Sequence, residues 1–112
     1  MKRIPWELEE MVDMVDLYYR DKNGNVENLV DELYELSRKL NKRADILKID
    51  HDNKYRNFNG MKMIFYNVRY VDTDGEYGMS CESKLVYYTI DLYKKDYERF
   101  TVLLNSFNKK YS

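Results

Sequence analysis

The sequence predicts an all-α protein, a compact bundle of about five helices with a helix-turn-helix-like core. Three observations carry that reading. Apolar residues recur at the i, i+3, i+4, i+7 spacing of amphipathic helices in five stretches. Clusters of Asn, Asp and Gly separate the stretches as turns do. Asn, Ser or Asp stands where several of the helices would be capped. At 112 residues the chain suits one domain, residues 1–112, with a modest core.

The first helix is expected from about Pro5 to Arg20, because Pro favours a first helical position and Leu8, Met11, Val12, Val15, Tyr18 and Tyr19 share one face. Asp21-Lys22-Asn23-Gly24-Asn25 ends it as a turn. Asn25 then caps a second helix with Val26, Leu29, Val30, Leu33, Leu36 and Leu40 as its stripe, running to about Ala44 or Leu47. Glu35 and Lys39 add an i,i+4 pair. A polar, irregular stretch from Ile49 to Asn57 leads into a third helix, from about Asn59 to Tyr70.

On that third helix Met61, Ile64, Phe65 and Val68 fall on one side, and Asn59, Lys62, Tyr66 and Arg69 on another. The β-branched and aromatic run from Met63 to Tyr70 also suits a strand, so a small hairpin near residues 63–78 is the competing expectation. Asp72-Thr73-Asp74-Gly75 closes the element, and Ser80 or Ser83 caps a fourth helix through about Tyr93, with Leu85, Tyr88, Thr89 and Leu92 on one face. Asp96 caps a fifth, where Phe100, Leu103, Leu104 and Phe107 are spaced for burial.

The net charge of −1 conceals a strong segregation. Residues 1–37 hold 4 Lys/Arg against 10 Asp/Glu (−6), residues 38–69 hold 9 against 3 (+6), and residues 70–112 hold 6 against 7 (−1). A polyanion suits the middle third, and a basic partner the first. The amino terminus lacks the apolar stretch of a secretory signal, no run is long enough to span a membrane, and the single Cys81 fits a reducing compartment. A cytoplasmic protein without a membrane partner is the expectation.

Catalysis and metal binding find little support. His51 between Asp50 and Asp52 is the one histidine, and it cannot serve both as general base and as metal ligand of a His-based nuclease. Asp21-x-Asn23-x-Asn25 and Asp72-x-Asp74 begin like calcium loops, yet Val26 and Tyr77 stand where the sharp turn needs Gly. Asp72 or Asp74 with Glu82-Ser83-Lys84 has the residue types of a magnesium nuclease without the strands that such a site needs. No phosphate-cradling loop and no Cys/His zinc set exist. The expectation is a binding protein that is not an enzyme and needs no cofactor or metal.

Nucleic acid is the favoured partner. Twelve tyrosines are many for this length, and half-buried core positions account for most of them. Tyr55, Tyr66 and Tyr70, however, are interleaved with Lys54, Arg56, Lys62 and Arg69, and that mixture stacks on bases and holds phosphates. The basic end of the second helix, Arg38, Lys39, Lys42 and Arg43, would lie along a phosphate backbone while the third enters a major groove, with Asn59 and Arg69 suited to base edges. The predicted contacts are therefore Arg38, Lys42, Arg43, Lys54, Arg56, Asn59, Lys62, Tyr66 and Arg69.

Four short stretches carry a resemblance: Trp6 to Met11, Leu36 to Leu40, Tyr55 to Met63, and Gly78-Met79 with Ser83-Lys84-Leu85. Together they resemble a small helical module of bacterial defence proteins, one that often precedes an HNH nuclease or a helicase-like region and is similar to homeodomain-type DNA-binding units. The resemblance implies DNA binding or positioning of a nuclease, with Arg56, Asn57, Asn59, Gly60 and Lys62 matching the characteristic stretch. These 112 residues carry the module alone, so the expectation is either a piece of a longer protein or a freestanding copy put to another use. An alternative is then a phage or mobile-element antagonist, like an anti-CRISPR protein, that binds a bacterial nuclease or CRISPR effector. Its acidic helices, with Glu7, Glu9, Glu10, Asp13, Asp16, Asp31, Glu32 and Glu35, would imitate phosphates, and Glu9, Asp13, Asp16 and Glu32 are its predicted contacts. Self-association through Tyr- and Met-rich faces, as a homo-oligomer, is a third expectation.

Overall fold

Met14 and Leu17 decide the architecture. They lie off the stripe formed by Leu8, Met11, Val15 and Tyr18, so the first helix is apolar most of the way round and has to be enclosed. In the computed structural model, which describes residues 3–112, that helix is α1 (Leu8–Lys22), and it touches each of the other four. Nine of its fifteen residues are buried, including Glu10 and Asp13, so its acidic residues cannot form one solvated face.

Around it stand α2 (Leu29–Ile46), α3 (Phe58–Asp72), α4 (Lys84–Lys95) and α5 (Tyr97–Tyr111), joined in one apolar core. The all-helical expectation holds. The hairpin alternative does not: residues 63–72 continue α3, because Met61, Ile64, Phe65 and Val68 bury together at helical spacing, which outweighs the β propensity of the run. No described residue is in a strand.

Capping chemistry sets the boundaries. α1 starts three residues beyond Pro5, because Glu10 Oε1 accepts the Glu7 N–H at 3.0 Å and closes the first turn there. α2 starts from Asn28, whose Oδ1 accepts the Asp31 N–H at 3.1 Å, and the Asn25 expectation is thereby corrected. Asn57, Ser83 and Asp96 cap α3, α4 and α5 in the same manner.

Two stripe residues stay outside: Val30 of α2 and Tyr88 of α4 are half exposed, and in α4 Val86 and Ile90 are buried in place of Tyr88. In α5, Phe100 and Phe107 are fully enclosed. Emptying either site to Ala would cost about 3–5 kcal/mol. No helix among the described residues is long and apolar enough to cross a membrane.

Two connections shape the surface. Residues 47–57 separate α2 from α3 by eleven positions, where a helix-turn-helix uses three or four. Ser37 and Asn41 of α2 tie this loop down by donating to the Arg56 and Tyr55 carbonyls. Residues 74–80 fold back along α3 as a strap: Met79 N–H donates to the Tyr66 carbonyl at 3.0 Å, and Asn67 Nδ2 donates to the Met79 and Ser80 carbonyls. Gly78, at φ +97°, lies so close that a Cβ would sit 2.4 Å from the Tyr66 oxygen and 2.7 Å from the Tyr70 nitrogen.

Candidate nucleic-acid interface

Glu10 explains the fate of two predicted contacts. Its buried carboxylate pairs with Arg56 Nε at 2.9 Å and lies 3.7 Å from Arg43 Nη1. Arg43, itself buried, also meets Glu9 at 2.5 Å and Glu7 at 3.1 Å. Burial works against the Arg43 charge, yet the bonds to Glu9 and Glu7 outweigh it and hold the guanidinium firmly protonated. Arg56 donates as well to the Ile4 and Pro5 carbonyls, both at 3.1 Å, and its guanidinium is stacked against Trp6 and Tyr55.

These two arginines close the interior and do not present a charge to an outside polyanion. A charge this deep is retained only where a partner and hydrogen bonds compensate it. Their placement corrects the expectation that both contact nucleic acid.

The acidic set fares similarly. Glu9 is held by Arg43, the Tyr111 hydroxyl and Lys110. Asp16 pairs with Arg20 at 2.8 Å. Asp13 is buried, its Oδ2 has no partner among the described residues, and burial pushes its carboxyl up to about 6. Glu32 is half-buried beside it, in a crevice shared with Arg20, Glu35 and Lys39. Three of the four acids expected on a protein-facing surface are thus engaged inside the molecule.

The remaining cations stay outside. Lys54, Asn59, Lys62 and Arg69 are exposed, and Lys54, Asn59 and Lys62 belong to the corner where the 47–57 loop enters α3. Tyr34 of α2 stacks on Phe58 at that corner, ring centroids 4.5 Å apart. Arg69 instead lies over Tyr77 of the strap, 5.3 Å from its ring. Tyr66 is half-buried against Phe65, with the strap bonded to its carbonyl. Arg38 is bound to Glu35 across its own helix, and Lys42 donates to the Ser112 carbonyl at 3.1 Å. The face of α3 expected to enter a groove is therefore free over its first two turns and strapped over its last.

A second polar cluster lies at the opposite end of α1. Asp72 accepts from Tyr18 at 2.8 Å, Tyr19 at 2.6 Å and Lys22 at 2.8 Å. Burial alone would raise this carboxyl, but the three donors overcome it and hold it near 2. Both clusters escaped sequence reading because their members are far apart along the chain, 34 positions between Glu9 and Arg43, 46 between Glu10 and Arg56 and 54 between Tyr18 and Asp72. No three His, Cys, Asp or Glu side chains converge as metal ligands among the described residues. Compared with protein-family models, curated proteins and solved structures, the chain matches none.

Proposed function

We propose that this protein is a non-enzymatic nucleic-acid-binding module, serving bacterial defence as its resemblance at Arg56 to Lys62 implies. One observation carries the reading. Glu9 and Glu10 of α1 are held by Arg43 and Arg56, while Lys54, Asn59 and Lys62 remain exposed where the loop enters α3, Lys62 beside Phe58 of the Tyr34–Phe58 stack. Cations fix phosphates and amide side chains read base edges, so this corner has the chemistry of a nucleic-acid contact. The strap along the last turns of α3 confines the contact to the first two turns and the preceding loop.

The inhibitor reading, in which acidic helices imitate phosphates, loses three of its four residues to internal partners or burial. The test is a titration of fluorescein-labelled single- and double-stranded DNA at 50 and 200 mM salt, with the Lys54→Glu/Lys62→Glu variant beside wild type. Binding should weaken by roughly a factor of three to four per phosphate contact over that salt range and be lost in the folded variant. No binding to either DNA at 50 mM salt would sink the proposal.

A further inference from the structure

Three cavities, of about 210, 210 and 590 Å³, run end to end along one side of the bundle. Arg3 lines all three. Lys54 and Arg56 join the first to the second, and Trp6, Met63 and Ile64 join the second to the third. The result is one trough that passes from the 51–56 loop, under the amino-terminal segment, to the end of the strap.

Its two ends differ in chemistry. At the loop end, His51 Nε2 faces Asp45 Oδ1 at 2.9 Å and its Nδ1 faces the Asp52 carbonyl at 2.9 Å. Both partners are acceptors: the Asp52 carbonyl and then the Asp45 carboxylate favour the protonated ring and raise it above the ordinary imidazole value, and together they occupy both ring nitrogens. Arg3, Lys54 and Arg56 line the trough with two carboxylates, Asp52 and Glu82. Glu10 offsets Arg56 from behind and Asp45 offsets His51, while Asp52 Oδ1 accepts the Lys54 backbone N–H. Arg3 and Lys54 supply the charge available to a ligand.

The strap end is wide and apolar, walled by Trp6, Met63, Met79 and Leu85. Asn67 stands among them with Nδ2 engaged by the strap, which leaves its Oδ1 as an acceptor. Thioether and indole surfaces take the flat face of a base, and an amide oxygen takes its amino edge.

We propose that this trough takes a single-stranded segment of nucleic acid, with phosphates on Arg3 and Lys54 and an unstacked base in the Trp6–Met63–Met79 cavity. The inference rests on the nucleic-acid reading above and extends it: the trough shares Lys54 with that corner and carries the contact on to Asn67 of α3 and Met79 of the strap. A duplex keeps its base faces stacked and cannot fill the apolar end; a single strand can. None of Arg3, Trp6, Asn67 or Met79 belongs to the contact set expected from sequence.

Trp6 is the only tryptophan and supplies its own readout. The experiment titrates a twelve-nucleotide dT strand, its RNA equivalent and a twelve-base-pair duplex against the full chain at 50 mM salt, following both anisotropy of the labelled strand and Trp6 emission. The dT strand should quench Trp6 and bind at least tenfold more tightly than the duplex. Arg3→Glu/Lys54→Glu, two exposed positions whose change leaves the core intact, should weaken it by more than tenfold at an unchanged melting temperature. Binding of strand and duplex alike with Trp6 emission unmoved would overturn the trough and leave the nucleic-acid reading standing. Absence of binding to all three would overturn both.

Discussion

Replacing Asp13 by Asn should stabilise the protein, and the gain should depend on pH in a way fixed by the position of this one carboxyl. Asp13 lies in the middle of α1 with its Oδ2 unpartnered, and its carboxyl is displaced from 3.8 to about 6, chiefly by burial, with Lys39 opposing and Asp16 adding to the shift. One unit is worth about 1.4 kcal/mol, so ionised Asp13 costs the fold about 3 kcal/mol at pH 7.5. The folded value lies above the unfolded one, so the native state binds more protons between pH 3.8 and about 6, and stability falls as pH rises through that window. At pH 5 the cost is roughly half its full value, and near pH 4 most of it is gone.

Asp13→Asn removes the charge while keeping the shape, and should gain about 1–3 kcal/mol at pH 7.5, the lower figure applying if the amide nitrogen faces Lys39 and Arg20. Urea denaturation of both proteins at pH 7.5, 5 and 4 reads the effect as a shift of the midpoint at constant slope. A gain that does not shrink toward pH 4, or a loss of stability at pH 7.5, would refute the argument that desolvation dominates at this site.

Glu10→Gln should be among the most damaging single changes: it leaves Arg43 and Arg56 short of their buried counter-charge and should cost about 3–5 kcal/mol in urea melts. Glu35→Gln, which opens only the exposed pair with Arg38, should stay within about 1 kcal/mol. Asp72→Asn strands Tyr18, Tyr19 and Lys22 and should cost about 2 kcal/mol. Because the Asp72 carboxyl is held low, near 2, the stability it confers in wild type is present above the usual carboxylate range and is lost as pH falls toward 2, which acid titration by circular dichroism follows. Gly78→Ala forces a Cβ against the Tyr66 carbonyl and a residue with a side chain into φ +97°; it should detach the strap, seen as faster amide exchange over residues 74–80 with all five helices retained.

How much of this was legible in the sequence differs by element. The stripes of α3 and α5 could be read directly, because Met61, Ile64, Phe65, Val68, Phe100 and Phe107 face the core at helical spacing. The edges of α1 and α2 could not, since Pro5 and Asn25 are good starting residues that lose to Glu10 and Asn28 once side-chain geometry is available. The site was less legible still. Lys54, Asn59 and Lys62 are exposed as their polarity suggests, whereas Arg43 and Arg56 look like surface cations and are interior. Charge alone cannot distinguish the two: what separates them is whether a carboxylate such as Glu10, 46 positions from Arg56, arrives to neutralise them. A stripe along α1 looked like half a surface helix, and only the enclosure by four neighbours turned its acids inward.

The Glu9–Glu10 cluster also has a kinetic meaning. It draws together the segment before α1, the end of α2, the 47–57 loop and the last turn of α5, with Tyr111 bonded to Glu9 across 102 positions of chain. Ion pairs need their partners closely placed, which packing of α1 against α5 must first achieve, so these contacts are expected to form after the transition state in which the helices collapse. Changes at Glu9 or Tyr111 should then leave the folding rate almost untouched and speed unfolding instead. In that role the cluster works as a latch: it sets how long the folded molecule persists, while the apolar stripes set how quickly it forms.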